Sequence, residues 1–76
     1  MFSIGERVVV RMKNRNGRRI GTIVRVEGPI AYLGNVQEES PDGCGGIRKT
    51  QIEDVLPIDT RKDDVFYFVP AELELL

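Results

Sequence analysis

The stretch that decides the fold is residues 6–26, which read ERVVVRMKNRNGRRIGTIVRV. Its first part alternates, with Val8, Val10 and Met12 on one side of the chain and mostly charged residues on the other. A period of two that includes three consecutive valines predicts a half-buried β-strand. Residues 20–26 alternate again and predict a second strand, antiparallel to the first.

The connection between these two strands contains the pair Asn16-Gly17. An Asn-Gly pair readily takes the two positive φ angles of a type I′ turn, the commonest tight connection of a β-hairpin. We therefore expect a two-residue hairpin turn at this pair.

Working outward, the pattern predicts further strands over residues 30–39 and 65–69. Gly34 interrupts the alternation of the first of these and predicts a bulge. Every residue of the second is β-branched or aromatic, which is typical of a strand. Between them, residues 40–46 contain three glycines and a Pro-Asp-Gly turn signal and predict a loop. Residues 51–56 fit either a short strand or a single helical turn.

The C-terminal segment Pro70-Ala71-Glu72 predicts one 3₁₀ turn, after which residues 73–76 can add a last short strand. The expected fold class is all-β, a small SH3-like barrel of five or six short antiparallel strands. With 76 residues the chain has room for one core. Residues 1–76 are therefore expected to form a single domain, with a loop-rich insertion at about 40–64.

The composition excludes several kinds of site. The chain has one cysteine, Cys44, and no histidine, which excludes an internal disulfide, His-dependent catalytic triads and ordinary zinc sites. No apolar run approaches the length of a membrane span. We expect no catalytic residue, no metal and no cofactor, no membrane association, and a reducing, cytoplasmic location. Cys44 is interpreted as a plain loop cysteine.

The net charge of −1 conceals an asymmetry along the chain. Residues 1–37 hold seven basic residues against two acidic ones, whereas residues 38–76 hold four against ten. Such a division suggests a polarised or self-complementary surface. A protein partner or a homo-oligomer is therefore the expected partner, and nucleic acid is the alternative.

The opening of the chain resembles a known family. Gly5, the valine strand at 8–10, the basic turn at 17–19 and the segment 21–24 are similar to the opening of KOW-type SH3-like barrels, and this likeness covers about residues 4–27. The resemblance implies an SH3-like barrel and nucleic-acid binding through the basic hairpin.

A second resemblance is to the plasmid-encoded type II dihydrofolate reductases, which are SH3-like barrels of about this size. By this resemblance, their Val-Gln-Ile-Tyr strand would fall near Val65-Phe66-Tyr67-Phe68, which lacks the glutamine. This resemblance implies a minimal oligomeric reductase with its site at a symmetry axis.

The candidate binding residues are the five basic side chains of hairpin 11–19, which could contact a polyanion or an acidic partner: Arg11, Lys13, Arg15, Arg18 and Arg19. A guanidinium offers a fork of N–H donors to two phosphate or carboxylate oxygens. The alternatives are a solvated turn, or arginines that pair with the acidic residues of the second half.

Tyr67 is a further candidate, as an aromatic side chain that faces a partner, because strand alternation puts Phe66 and Phe68 on the opposite side. Three functions follow from the sequence. The first is a non-enzymatic binding module acting through complementary charged surfaces. The second is KOW-like nucleic-acid binding, and the third is the oligomeric reductase.

Overall fold

The structure is a computed structural model that describes residues 2–62 and 65–74. It is all-β, as predicted, with one four-residue helix. The elements in chain order are β1 (Arg7–Met12), β2 (Arg18–Glu27), β3 (Ile30–Pro41), β4 (Ile47–Ile52), β5 (Leu56–Asp59), β6 (Val65–Pro70) and α1 (Ala71–Glu74).

All strand pairs are antiparallel, and the strand order of the sheet is β4-β3-β2-β1-β6. β5 pairs with β3 on the same side as β4, so β3 has two partners on one edge. The pairings of the described strands do not close the sheet into the ring expected of a barrel. β4 and β6 lie at the two ends of the strand order, and no described pairing joins them.

A bulge in β3 explains its two partners. Ile20 lies opposite Gln37 and Thr22 opposite Gly34, so one residue of β2 faces both Asn35 and Val36 of β3. The bulge was predicted at Gly34, and the structure places it one residue later. Asn35 has a φ of 50°, a left-handed conformation that asparagine tolerates better than most residues.

The bulge also sets which side chains reach the core. Leu33 and Val36 are an odd number of residues apart, yet both are fully buried because the extra residue reverses the alternation between them. The first half of β3 pairs with β5, and the second half pairs with β4. The bulge therefore separates the core half of the strand from the polar half that carries the candidate site.

The tight turn predicted at Asn16-Gly17 is wrong. The paired residues of β1 and β2 nearest to the connection are Val10 and Arg19, and neither Asn16 nor Gly17 has a positive φ. Residues 13–17 form a longer connection instead. Gly17 is required for space: a Cβ atom there would overlap the carbonyl oxygen of Glu39 on β3.

A true two-residue turn joins β2 to β3. Glu27 pairs with Ile30, which leaves Gly28 and Pro29 as the central residues of the turn. Gly28 has a φ of 59°, and proline fixes the next φ at a negative value. This combination is the type II′ pattern, whose backbone twist suits a hairpin.

Most of the core lies on one face of β1, β2 and β3. Its fully or nearly fully buried members are Val8, Val10, Ile23, Leu33, Val36 and Ile58. Phe2 and Phe68 pack against this cluster, and their rings meet edge to face with centroids 4.5 Å apart. A second small cluster of Val9, Ile20 and Ala71 covers the opposite face. β1 is therefore buried on both faces, beyond the half-burial expected.

The second half of the chain differs from the prediction in three places. The loop-rich insertion at 40–64 contains two strands, and the window 51–56 is the end of β4, a connection and the start of β5. The turn predicted near residues 70–72 is present as the α-helical turn α1, because Pro70 can precede but not continue a helix. Leu73 and Glu74 belong to that helix and not to a last strand. Residues 75–76 lie outside the described residues.

A candidate binding site at the basic end of the sheet

The candidate site lies where β1 ends, β2 begins, β3 ends and β4 begins. We call residues 11–19 and 38–49 the basic end. The strand register brings these segments together, since Val10 lies opposite Arg19 and Ser40 lies opposite Arg48. The basic end holds seven basic side chains against the three acids Glu38, Glu39 and Asp42; the basic ones are Arg11, Lys13, Arg15, Arg18, Arg19, Arg48 and Lys49.

Arg18 and Glu39 form a cross-strand ion pair in the basic end. They lie opposite each other on β2 and β3, and Arg18 Nε donates to Glu39 Oε1 at 2.8 Å. The other oxygen, Glu39 Oε2, accepts a hydrogen bond of 2.8 Å from Gln37 Nε2. The hydrogen bond from Arg18 is the largest cause that holds the pKa of Glu39 below its ordinary value. The ion pair therefore favours the ionised form of this carboxylate.

Glu38 accepts from two arginines through a single oxygen. Arg19 Nε lies 2.8 Å from Glu38 Oε2, and Arg15 Nη1 lies 3.3 Å from the same atom. The Arg19 side chain is 19% exposed, whereas that of Arg15 is 56% exposed. Two guanidinium charges thus meet one carboxylate charge, so this cluster is net positive.

The predicted binding residues separate into two groups. Arg15, Arg18 and Arg19 pair with glutamates of β3, which agrees with the alternative that the hairpin arginines bind acids of the second half. Lys13 is exposed in the connection, and Arg11 is partly buried on β1. The side chain of Tyr67 lies outside the described part of the structure, so its role stays a prediction.

Two clefts flank the crossing of the 13–17 connection over β3. The first, of about 280 Å³, is lined by Val10, Met12 and Pro41 and by the Arg15, Arg19 and Glu38 cluster. The second, of about 320 Å³, includes Arg11, Glu39 and Ile47. Among the side chains that the structure describes, neither lining contains an aromatic one. The clefts therefore combine positive charge with aliphatic surface.

The loop at the tip of the basic end is stabilised by hydrogen bonds to the side chain of Asp42. Asp42 Oδ1 accepts hydrogen bonds from the backbone N–H groups of Cys44, at 2.7 Å, and Gly46, at 3.0 Å. Both bonds lower the pKa of Asp42, and the bond from the Cys44 N–H is the larger cause. Cys44 is exposed and is not in a disulfide, which agrees with its interpretation as a plain loop cysteine.

The remaining aromatic and acidic features lie elsewhere. Arg25 stacks over the ring of Tyr32 with its guanidinium carbon 4.1 Å from the ring centroid, beside the β2–β3 turn at the other end of the sheet.

Within residues 2–62 and 65–74, no group of three potential metal ligands comes together. The four-residue α1 is the longest helix described, and no described helix could span a membrane.

Sequence reasoning found the arginines but missed their partners. Glu38 and Glu39 were counted only as part of the acidic half, and Arg48 and Lys49 were not singled out. Their roles depend on the pairing of β3 with β2 and β4, which places Glu39 between Arg18 and Lys49. A cross-strand pattern of opposite charges is the signal that could have revealed them.

Comparison of the chain with protein-family models, with curated proteins and with solved structures finds no match.

Proposed function

We propose that this protein is a non-enzymatic binding module that recognises an acidic polypeptide at the basic end. The observation that supports the proposal is the excess of seven basic side chains over three acidic ones in segments that meet around two clefts. Charges that lie within a Debye length of about 8 Å act together on a ligand at physiological salt. A partner rich in Asp and Glu is the chemistry that this surface favours.

The side chains described in the lining of the clefts favour a polypeptide over a nucleic acid. Proteins that bind single strands usually stack bases on aromatic side chains. The described lining presents aliphatic groups instead, which are Val10, Met12 and Pro41 in the first cleft and Pro41 and Ile47 in the second. Aliphatic surface next to guanidinium groups suits the methylene stem and carboxylate of a glutamate side chain.

Self-association through opposite charges is the less favoured form of the same function. Arg15, Arg18 and Arg19 are paired with Glu38 and Glu39 of their own chain, which reduces both the basic and the acidic charge that two copies could bring together. A hetero-partner that supplies several adjacent carboxylates can still draw on the net excess. We therefore place a separate acidic polypeptide ahead of a second copy of the chain.

The test is a calorimetric titration of the protein with an unstructured octapeptide of alternating Glu and Val. We expect saturable binding that weakens as salt is raised, because exposed charges are screened. A Lys-Val octapeptide is the matched control and should not bind. Substitution Lys49→Glu should weaken binding, whereas Lys62→Glu, the same charge change outside the basic end, should have a smaller effect. Equal binding of the two peptides would contradict the proposal.

Nucleic-acid binding is the second candidate, and the same excess of basic charge favours it. Arg15, Arg18 and Arg19 would contact phosphates, as the KOW resemblance implies, but each would first have to leave or share its glutamate. A titration with single- and double-stranded DNA and RNA at several salt concentrations tests this candidate. It requires log K to fall linearly with log salt, with a slope near the number of phosphates neutralised.

The reductase resemblance supports no proposal. Phe66 stands at the position where that family's strand has a glutamine. An assay of NADPH and dihydrofolate turnover tests this function directly, and we expect no activity.

A further inference from the structure

We propose that Arg15 and Arg19 form a subsite for a single carboxylate in the first cleft, between the 13–17 connection and β3. The subsite rests on the proposed function, because the carboxylate that it would take is the side chain of an acidic residue of the partner. It is more specific than that function, since it names the two side chains and the chemical group.

The charge balance of the cluster supports the subsite. Both guanidiniums approach the same atom, Glu38 Oε2, at 2.8 Å from Arg19 and 3.3 Å from Arg15. One carboxylate therefore serves two permanent positive charges, and a second carboxylate would balance them. The longer contact belongs to Arg15, which is the more exposed residue and can turn toward a ligand at lower cost.

The donors of Arg19 give a second, independent reason. A guanidinium carries five N–H donors. Within the described residues Arg19 uses its Nε–H on Glu38, and no other hydrogen bond of its side chain is formed. No described side-chain nitrogen or oxygen is both buried and without a partner, so the terminal N–H groups of Arg19 must reach solvent. They can donate to a carboxylate in the cleft.

The walls of the cleft fit the rest of an acidic side chain. Val10, Met12 and Pro41 line it together with the arginines. A glutamate entering the cleft could bury its methylene groups on this aliphatic surface while its carboxylate meets Arg19 and Arg15. Glu38 already binds Arg15 and Arg19, so its carboxylate competes with an incoming carboxylate for the same two guanidinium groups.

The first experiment follows the arginine side chains directly by ¹⁵N–¹H NMR of their Nε–H groups. The probe is N-acetyl-glutamate α-amide, which has one free carboxylate, and the control is N-acetyl-glutamine α-amide. We expect a saturable shift of the Arg19 Nε–H signal with the glutamate compound and none with the glutamine compound. Identical shifts with the two compounds, or no shift of Arg19, would overturn the subsite.

Two variants then test the role of the charges. Glu38→Gln removes the competitor and should raise affinity for the glutamate compound about five-fold, the effect of one unit charge at about 4 Å in water. Arg15→Gln should lower it by a similar factor. The matched control is Lys13→Gln, which removes an exposed charge from the same connection and should have a smaller effect. A Glu38→Gln variant that binds more weakly than the parent would refute the competition.

The outcomes separate the subsite from the proposed function. If the acidic octapeptide binds but Arg15→Gln and Lys13→Gln weaken it equally, the function stands and the subsite fails. If the capped glutamate shifts Arg19 but the octapeptide does not bind, the subsite stands and the proposed function fails.

Discussion

Arg18 on β2 and Glu39 on β3 lie directly opposite each other, and their side chains are joined by a 2.8 Å hydrogen bond between Nε and Oε1. The Glu39 side chain is 13% exposed and also accepts from Gln37. This pair joins the polar half of β3 to β2 and is consistent with the register of the two strands. We therefore expect it to contribute to the stability of the basic end.

Replacing Glu39 by glutamine should lower the free energy of unfolding at pH 7 by about 1 kcal/mol, the upper end for exposed ion pairs. The folded-state pKa of Glu39 lies below its ordinary value, so its contribution is present above the unfolded pKa of about 4.3 and is lost as pH falls through the folded pKa. Urea unfolding curves at pH 7 and pH 3 measure this. The difference between parent and variant should shrink at pH 3.

The control for this prediction is Glu27→Gln. Glu27 pairs with Arg25 at 2.7 Å, but both side chains are more than half exposed. Its removal should change stability by a few tenths of a kcal/mol. An effect of Glu27→Gln as large as that of Glu39→Gln would contradict the special role of the Arg18–Glu39 pair.

Asn35 should tolerate glycine but not valine. Its φ of 50° is a left-handed conformation that costs a β-branched residue about 1–2 kcal/mol. Glycine adopts the same conformation without strain. Thermal unfolding of Asn35→Gly and Asn35→Val measures the difference. Gln51→Val is the control, because it places valine at an exposed position of a regular strand, where we expect almost no loss.

Local patterns predicted much of the fold. The alternation around Val8 and Val10 and the β-branched and aromatic run at 65–69 each mark a strand without reference to the rest of the chain. β4 was not predicted, because its middle residues are polar and exposed and so show no alternation of apolar and polar side chains. Its strand conformation depends on pairing with the end of β3, which is a non-local contact.

The hairpin and the candidate site show the same limit. The Asn16-Gly17 pair is a sound local signal for a tight turn, but Gly17 is needed where the connection crosses Glu39. The five basic residues were predicted from their local density along the chain. Their pairing was left open because only the register of β2 with β3 decides that Arg18 meets Glu39 and Arg19 meets Glu38.

Gly17→Ala should destabilise the protein by about 1–3 kcal/mol, the usual cost of forcing extra atoms into a packed site. The added Cβ would overlap the Glu39 carbonyl oxygen and lie 3.0 Å from the Cβ of Ser40. Urea unfolding measures the loss. In contrast, Gly43 has a φ of 85°, and a Cβ atom added there would meet no atom within 4 Å. Glycine is favoured at this position by its backbone conformation and not by close packing. Gly43→Asn should therefore cost less than Gly17→Ala, and the reverse order would refute this distinction.

Lys49→Val should make the protein self-associate. β4 ends the strand order of the sheet, residues 47–51 are exposed, and lysine on an edge strand opposes pairing with another chain. Valine at this position would place an apolar β-former next to exposed Ile47 and remove that opposition. Sedimentation velocity over a range of protein concentrations should show a faster species for this variant and not for Lys62→Val, an exposed lysine outside the strand. If both variants sediment like the parent, Lys49 does not protect the edge.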